Sequence, residues 1–153
     1  MARSTSRWCS APHARPGRGF TATQVAELPM EWIAGRGYAP VGDTPLPLVL
    51  FEAPCVFREA ALAALERGRM PWRIALTSPS LAGLWAAADA GLGVTIRTRI
   101  GLPAGLTLLP AGREAGLPKL PRVALTLHRI AEAGPAVVRL GEILLDVLAR
   151  ELT

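Results

Sequence analysis

The sequence predicts an α/β fold built around a parallel sheet. Apolar runs of strand length alternate with short helical segments between residues 46 and 97, in the order strand, helix, strand, helix, strand. Glycine or proline stands between most of these segments. Half of the 153 residues are hydrophobic, which is enough for a core in one domain of ordinary size. This order of elements predicts right-handed crossover connections.

The chain is predicted to begin with a disordered tail over residues 1–24. Residues 1–23 contain four arginines and no acidic residue, and they show no apolar periodicity. Three interpretations fit such a stretch. It is an organelle transit peptide, a nucleic-acid-binding arm, or a stretch of no selected function before a truncated domain. The family resemblance described below favours the last.

The net charge of +5 is concentrated in this tail. Residues 24–153 carry 13 of the 17 basic residues and all 12 acidic residues. The folded part is therefore close to neutral, which disfavours nucleic-acid binding by that part of the chain.

The elements that follow are predicted from apolar runs and from glycine stops. The predicted strands are 30–34, 46–52, 72–77 and 93–97, and the predicted helices are 57–67 and 80–90. The run 46–52 is apolar almost throughout, as expected of a strand that is buried on both faces.

The last third of the sequence has a different organisation. Strands are predicted at 106–109 and 123–127, and a helix at 135–152. Because two strands and one helix do not easily form a stable unit, this lobe is predicted to be incomplete. We expect its strands to lack sheet neighbours and to expose apolar surface, which favours self-association.

No catalytic or metal-binding pattern is present in the sequence. His13 and His128 have no ligand at metal-binding spacing, and the glycine pairs lack the third glycine of a dinucleotide fingerprint. Cys9 and Cys55 do not form a disulfide framework, which fits a reducing compartment. The longest apolar stretch, 81–96, is too short to span a bilayer. We therefore expect a soluble cytoplasmic protein that is not an enzyme and uses no cofactor and no metal.

A candidate site lies where the predicted strand 72–77 ends. Ser78 is a plausible N-cap, and Pro79 would occupy the first helical position. Residues 54–58 occupy the equivalent place after the preceding strand. Ligands of open α/β sheets lie beyond the carboxyl ends of the strands, and helix N-termini favour anions. Two interpretations stay open: a site for a small carboxylate, or a serine and a proline that only begin a helix.

Three segments resemble the effector-binding domain of LysR-type transcriptional regulators. They are PLPLVLFEAPCVFR (45–58), PWRIALTSPSLAGLWAAADAGLGVTIR (71–97) and GLPKLPRVALTLHR (116–129). MEWIAG, which follows VAELP, is similar to the strand by which that family's chain enters its second subdomain. The resemblance covers the chain from about Val25 to its end.

The resemblance implies a periplasmic-binding-protein-like (type 2) fold with two α/β subdomains joined by two crossover strands. Residues 32–35 and 95–98 would be the crossovers. Residues 25–98 would then hold the complete second subdomain with these crossovers. Residues 99–153 would be the returning, incomplete part of the first subdomain.

The resemblance also implies a small effector in the cleft between subdomains. The positions carried over are Cys55, Phe57 and Arg58 in the first loop. Those in the second loop are Thr77, Ser78 and Ser80. In its full-length form such a protein would be a homo-oligomer that senses a small anionic metabolite, such as a carboxylate, and regulates transcription.

The sequence departs from this family at its beginning. The family's winged helix-turn-helix, its linker helix and the opening half of the first subdomain have no counterpart here. We therefore expect a truncated or wrongly started reading frame, with DNA binding only through a domain that this chain lacks. The alternative function is nucleic-acid binding through the basic tail.

Overall fold

A computed structural model describes residues 19–39, 44–112 and 116–152. Its elements in chain order are β1 (Phe20–Pro29), β2 (Glu31–Gly35), β3 (Leu46–Phe51), α1 (Val56–Arg67), β4 (Trp72–Ser78), α2 (Leu81–Asp89), β5 (Thr95–Arg97), β6 (Leu106–Leu109), β7 (Arg122–Ile130) and α3 (Pro135–Glu151).

The chain divides into two compact units. The described part of unit 1 lies between Pro29 and Pro121, and that of unit 2 comprises residues 19–28 and 122–152. The chain passes from unit 2 into unit 1 at residues 28–29 and returns at residues 121–122.

Unit 1 contains the parallel sheet that the sequence predicts. Strands β3 and β4 run parallel, from the pair Leu46 and Trp72 to the pair Phe51 and Ser78. Val94 extends the sheet on the other side of β3, because its N–H donates to the Pro47 carbonyl oxygen at 2.8 Å. The preceding residue must be glycine, since a Cβ at Gly93 would lie 2.4 Å from that same oxygen.

Unit 1 also contains a three-stranded antiparallel sheet in the order β5-β2-β6. Central strand β2 is buried, and its Trp32 and Ile33 are both 0 % exposed. Trp32 Nε1 donates to the Pro118 carbonyl oxygen at 2.8 Å. The two segments that the resemblance implies as crossovers, 32–35 and 95–98, lie side by side, since Trp32 is opposite Ile96 and Ile33 is opposite Thr95 in an antiparallel pair.

Helix α2 joins the cores of the two sheets. Leu84 and Ala87 pack with Val49 of β3. One residue further on, Ala88 packs with Ile33 and Leu106 of the antiparallel sheet. Small residues allow this close approach, and burial of these apolar side chains stabilises the fold by the hydrophobic effect.

Unit 2 is formed by β1, β7 and α3. Strand β1 pairs with β7, and Thr21 Oγ1 donates to the Arg129 carbonyl oxygen at 3.4 Å. The strand begins at Phe20, inside the predicted tail, so the prediction of disorder for residues 20–24 is corrected. These residues are extended because β7 supplies their hydrogen-bond partners, which the composition of the tail does not reveal. Residues 1–18 of the predicted tail lie outside the described residues.

The expectation that the later strands lack sheet neighbours is wrong. Strand β6 pairs with β2, and β7 pairs with β1. The largest group of exposed apolar side chains in one described element lies on α3, at Val137, Leu140, Ile143, Leu144 and Val147. In the part of the chain that the structure describes, no helix is long and apolar enough to cross a membrane.

Candidate functional site

The carboxyl ends of β3 and β4 lie side by side in unit 1. Leu50 is opposite Thr77, and Phe51 is opposite Ser78. The loops to α1 and α2 therefore leave the sheet from the same end. We call residues 51–58 and 77–83 the carboxyl edge. Each range runs from the end of a strand through the loop into the first turn of the next helix.

Cys55 occupies the N-cap position of α1 with an extended backbone, at φ −149° and ψ 120°. Its carbonyl oxygen accepts the first helical bond, from the N–H of Glu59, at 3.0 Å. Its side chain makes no capping bond and is buried, at 1 % exposure. Cys55 is thus part of the core beneath the loop.

Phe57 and Arg58 form the first turn of α1, and both are half-buried. Arg58 Nη1 donates to the Phe51 carbonyl oxygen at 3.0 Å. This bond crosses the loop and joins α1 to the last residue of β3. It also places a guanidinium cation at the carboxyl edge.

The second loop is organised by two serine hydroxyl groups. Ser80 is the N-cap of α2, and its Oγ accepts a hydrogen bond from the N–H of Gly83 at 3.0 Å. Ser78 Oγ accepts from the N–H of Ser80 at 3.2 Å and donates to the Ser80 carbonyl oxygen at 3.3 Å.

The prediction that Ser78 caps α2 and that Pro79 is its first residue is therefore wrong. Ser78 is still paired with Phe51 in the sheet, so it cannot also begin the helix. Pro79 lies in the loop, and α2 begins at Leu81. A Cβ at Gly83 would lie 2.5 Å from Ser78 Oγ and 3.2 Å from Ser80 Oγ.

The six candidate residues differ in their access to solvent. Thr77 and Ser80 are exposed, whereas Phe57, Arg58 and Ser78 are half-buried and Cys55 is buried. The accessible groups are thus hydroxyls with a guanidinium on the adjoining loop. Hydroxyl donors and a guanidinium are the groups that bind carboxylates and phosphates.

Two further residues of the carboxyl edge and its surroundings were not anticipated from the sequence, Phe51 and Arg97. Arg97 ends β5 and is 9 % exposed. Its Cζ lies 4.2 Å from the centroid of the Phe51 ring and 4.6 Å from that of the Phe57 ring. The one sequence signal was an arginine at the end of the otherwise uncharged run GVTIR.

Among the described residues, no group of three His, Cys, Asp or Glu side chains could hold a metal ion. Burial raises the pKa of the Tyr38 phenol above its ordinary value of 10.0, and the positive charge of Arg73 opposes that rise.

The chain corresponds to a known family of substrate-binding domains. The family model described as the LysR substrate binding domain matches residues 9–149, so the chain belongs to that family. The match includes part of the predicted tail, which does not favour the alternative function of a separate nucleic-acid-binding arm. The match agrees with the periplasmic-binding-protein-like (type 2) α/β fold, with one part incomplete, that the family resemblance implies.

A relative with a curated description is the HTH-type transcriptional regulator PecT of Dickeya dadantii (strain 3937). It is 36 % identical over 101 residues, which are 66 % of this chain and 31 % of PecT. The chain spans about a third of the length of the curated relatives it matches.

Solved structures of the family share the fold at low sequence identity. The regulatory domain of CcmR from Synechocystis PCC6803, in complex with 2-PG, is similar at a TM-score of 0.63 and 16 % identity, over 91 % of this chain and 71 % of that one. Full-length LysG from Corynebacterium glutamicum, with bound effector Arg, is similar at a TM-score of 0.62 and 19 % identity, over 90 % and 49 %.

Proposed function

We propose that the carboxyl edge of unit 1 contacts a small anionic effector and that the full-length protein is a cytoplasmic regulator of transcription. The observation that carries this proposal is the alignment of the β3 and β4 ends, which brings the Arg58 loop and the hydroxyl-bearing loop to one end of the sheet. The related proteins support it, since CcmR is in complex with 2-PG and LysG has a bound effector Arg.

The charges at this edge favour an anion. The guanidinium of Arg58 is half-buried, so solvent screens it less than a fully exposed side chain. The first turns of α1 and α2 begin here, and each helix N-terminus favours a nearby anion by about 0.3–1 kcal/mol. The nearest acidic residues along the chain, Glu52 and Glu59, are both exposed and are screened by water.

Each candidate residue has a distinct role in this proposal. Thr77 and Ser80 are accessible and would donate hydroxyl hydrogen bonds to the effector, with Ser78 holding the loop. Arg58 would bind its negative charge, and Phe57 would contact its apolar part. Cys55 would not touch the effector, because its thiol is buried; it would support the shape of the loop from the core.

The wider functions belong to the full-length regulator. We propose that it assembles as a homo-oligomer and binds DNA through a helix-turn-helix domain, as the name of PecT indicates for that relative. The curated relatives are transcriptional regulators, and we propose that this protein is likewise a regulator and not an enzyme.

The experiment is calorimetric titration of the chain with 2-PG, with inorganic phosphate, and with glycerol as the uncharged control. Binding of the anions and not of glycerol is expected. Arg58→Met should weaken anion binding by about 10- to 150-fold, because a hydrogen bond to a charged group is worth about 1.5–3 kcal/mol.

Arg67→Met is the matched control, since Arg67 is exposed in the last turn of the same helix. Equal losses in the two variants would show that only the overall charge matters. Equal affinities for glycerol and for the anions would contradict an anion-selective edge.

A further inference from the structure

Arg97 is a buried charge in the middle of unit 1. It is the last residue of β5, it lies opposite Glu31 of β2, and it is 9 % exposed. Removing a charge from water costs free energy unless other groups stabilise it. Burial of the Arg97 guanidinium therefore requires neighbouring groups that offset this free-energy cost.

Two of those partners are aromatic rings from different elements. The guanidinium Cζ lies 4.2 Å from the Phe51 ring centroid and 4.6 Å from the Phe57 ring centroid, within the range of about 6 Å for a cation–π contact. Arg97 Nη1 also donates to the Ile96 carbonyl oxygen at 3.0 Å, which fixes the direction of the planar group.

The two rings stand on either side of the first loop of the carboxyl edge. Phe51 is the last residue of β3 and packs against the core formed with α2. Phe57 is in the first turn of α1. One guanidinium therefore contacts the residue before the loop and the residue after it, and the loop between them carries Cys55.

We propose that Arg97 is a positioning residue for the effector site, which holds the rings of Phe51 and Phe57 together and so fixes the shape of the loop between them. This inference rests on the proposed function of the carboxyl edge. An arginine suits the role because its planar cation stacks on aromatic faces, which the compact ammonium of a lysine does less well.

The chain offers a direct spectroscopic test, because it has three phenylalanines and Phe51 and Phe57 are two of them. Biosynthetic replacement with 4-fluorophenylalanine gives three fluorine NMR signals. The third, from Phe20, is an internal reference in unit 2, where that side chain is 49 % exposed. Phe51→Leu and Phe57→Leu assign the signals.

In the ligand-free chain, Arg97→Met should move the Phe51 and Phe57 signals by more than their linewidths and leave the Phe20 signal in place. Arg97→Lys should restore the original positions only in part. Arg99→Met is the matched control, since the Arg99 side chain is 66 % exposed and pairs with Glu31 at the surface. The inference is overturned if both ring signals stay in place in Arg97→Met or move equally in Arg99→Met.

Loss of folding in Arg97→Met would appear as collapse of all three signals and of the far-ultraviolet circular dichroism. The test then rests on Arg97→Lys, which keeps the positive charge. Movement of the two ring signals in this variant supports the inference, and unchanged signals overturn it.

Titration with 2-PG separates this inference from the proposed function. In the unaltered chain 2-PG should shift the Phe57 signal, and Arg97→Met should raise its dissociation constant by about tenfold. No response of the unaltered chain, together with ring movement on substitution, would contradict the proposed function alone. A response with the same affinity in Arg97→Met would overturn the positioning role and leave the proposed function in place.

Discussion

Replacement of Ser80 by alanine should weaken α2 at its first turn. Ser80 Oγ accepts the Gly83 N–H at 3.0 Å, and alanine leaves that N–H to water. Loss of an N-cap serine costs about 0.5–2 kcal/mol, and a value of about 1 kcal/mol is expected here because the position is exposed.

The assay is urea unfolding followed by tryptophan fluorescence, since Trp85 lies in α2. With a denaturant slope of about 2 kcal/mol/M, a loss of about 1 kcal/mol lowers the unfolding midpoint by about 0.5 M. Ser80→Asp keeps an acceptor and places a negative charge at the helix N-terminus, so it should unfold close to the unaltered chain.

Ser78→Ala is the decisive comparison, because both serines are good N-caps by residue type. Ser78 Oγ bonds to the backbone of Ser80, two residues away and outside the helix, so its loss should cost less than about 0.5 kcal/mol. A larger cost for Ser78→Ala than for Ser80→Ala would refute this account and restore Ser78 as the cap.

Three more predictions concern other parts of the chain. Tyr38, the single tyrosine, should titrate above 10.0 by ultraviolet absorbance and higher still in Arg73→Gln. Because the pKa of Tyr38 is raised in the folded chain, the stability that this residue contributes is complete below pH 10.0 and is lost as the pH rises through the folded pKa. A measured pKa at or below 10.0 would contradict the burial of the phenol. Gly93→Ala should destabilise the fold by about 1–3 kcal/mol in urea, since its Cβ would meet the Pro47 carbonyl oxygen, and an unchanged midpoint would contradict that contact. Leu140→Lys, at 56 % exposure on α3, should lower both the binding of a hydrophobic dye and self-association in sedimentation; a sharp monomeric unfolding transition of the unaltered chain would count against exposure of that face.

The parts of the fold that could be predicted from sequence are those set by local signals. Helix α1 was expected at 57–67 and is found at Val56–Arg67, because a glycine ends it and its apolar residues share one face. Helix α3 was expected at 135–152 and is found at Pro135–Glu151. The parallel direction of β3 and β4 followed from the order of elements alone.

The features that could not be predicted depend on partners that are distant in the sequence. Strand β1 begins with the segment FTAT, which follows an arginine-rich stretch, and pairing with β7, about a hundred residues away, makes it a strand. The position of β2 between β5 and β6 likewise depends on segments more than 60 residues later in the chain.

The candidate site shows the same division. The two loops were placed from the strand ends, but the choice between two serine caps depended on how far the β4 ladder extends. Arg97 was overlooked because its two aromatic partners are 40 or more residues earlier in the chain.

The four residues 94–97 serve both sheets of unit 1. Val94 is bonded to β3 on one side, and the next three residues pair with β2. Neither sheet can therefore separate from this segment without disturbing the other, and the amide protons of Val49 and Ile33 should exchange with solvent in a single cooperative opening. Any ligand that stabilises the end of β3 should then also slow exchange in β2, which lies in the other sheet.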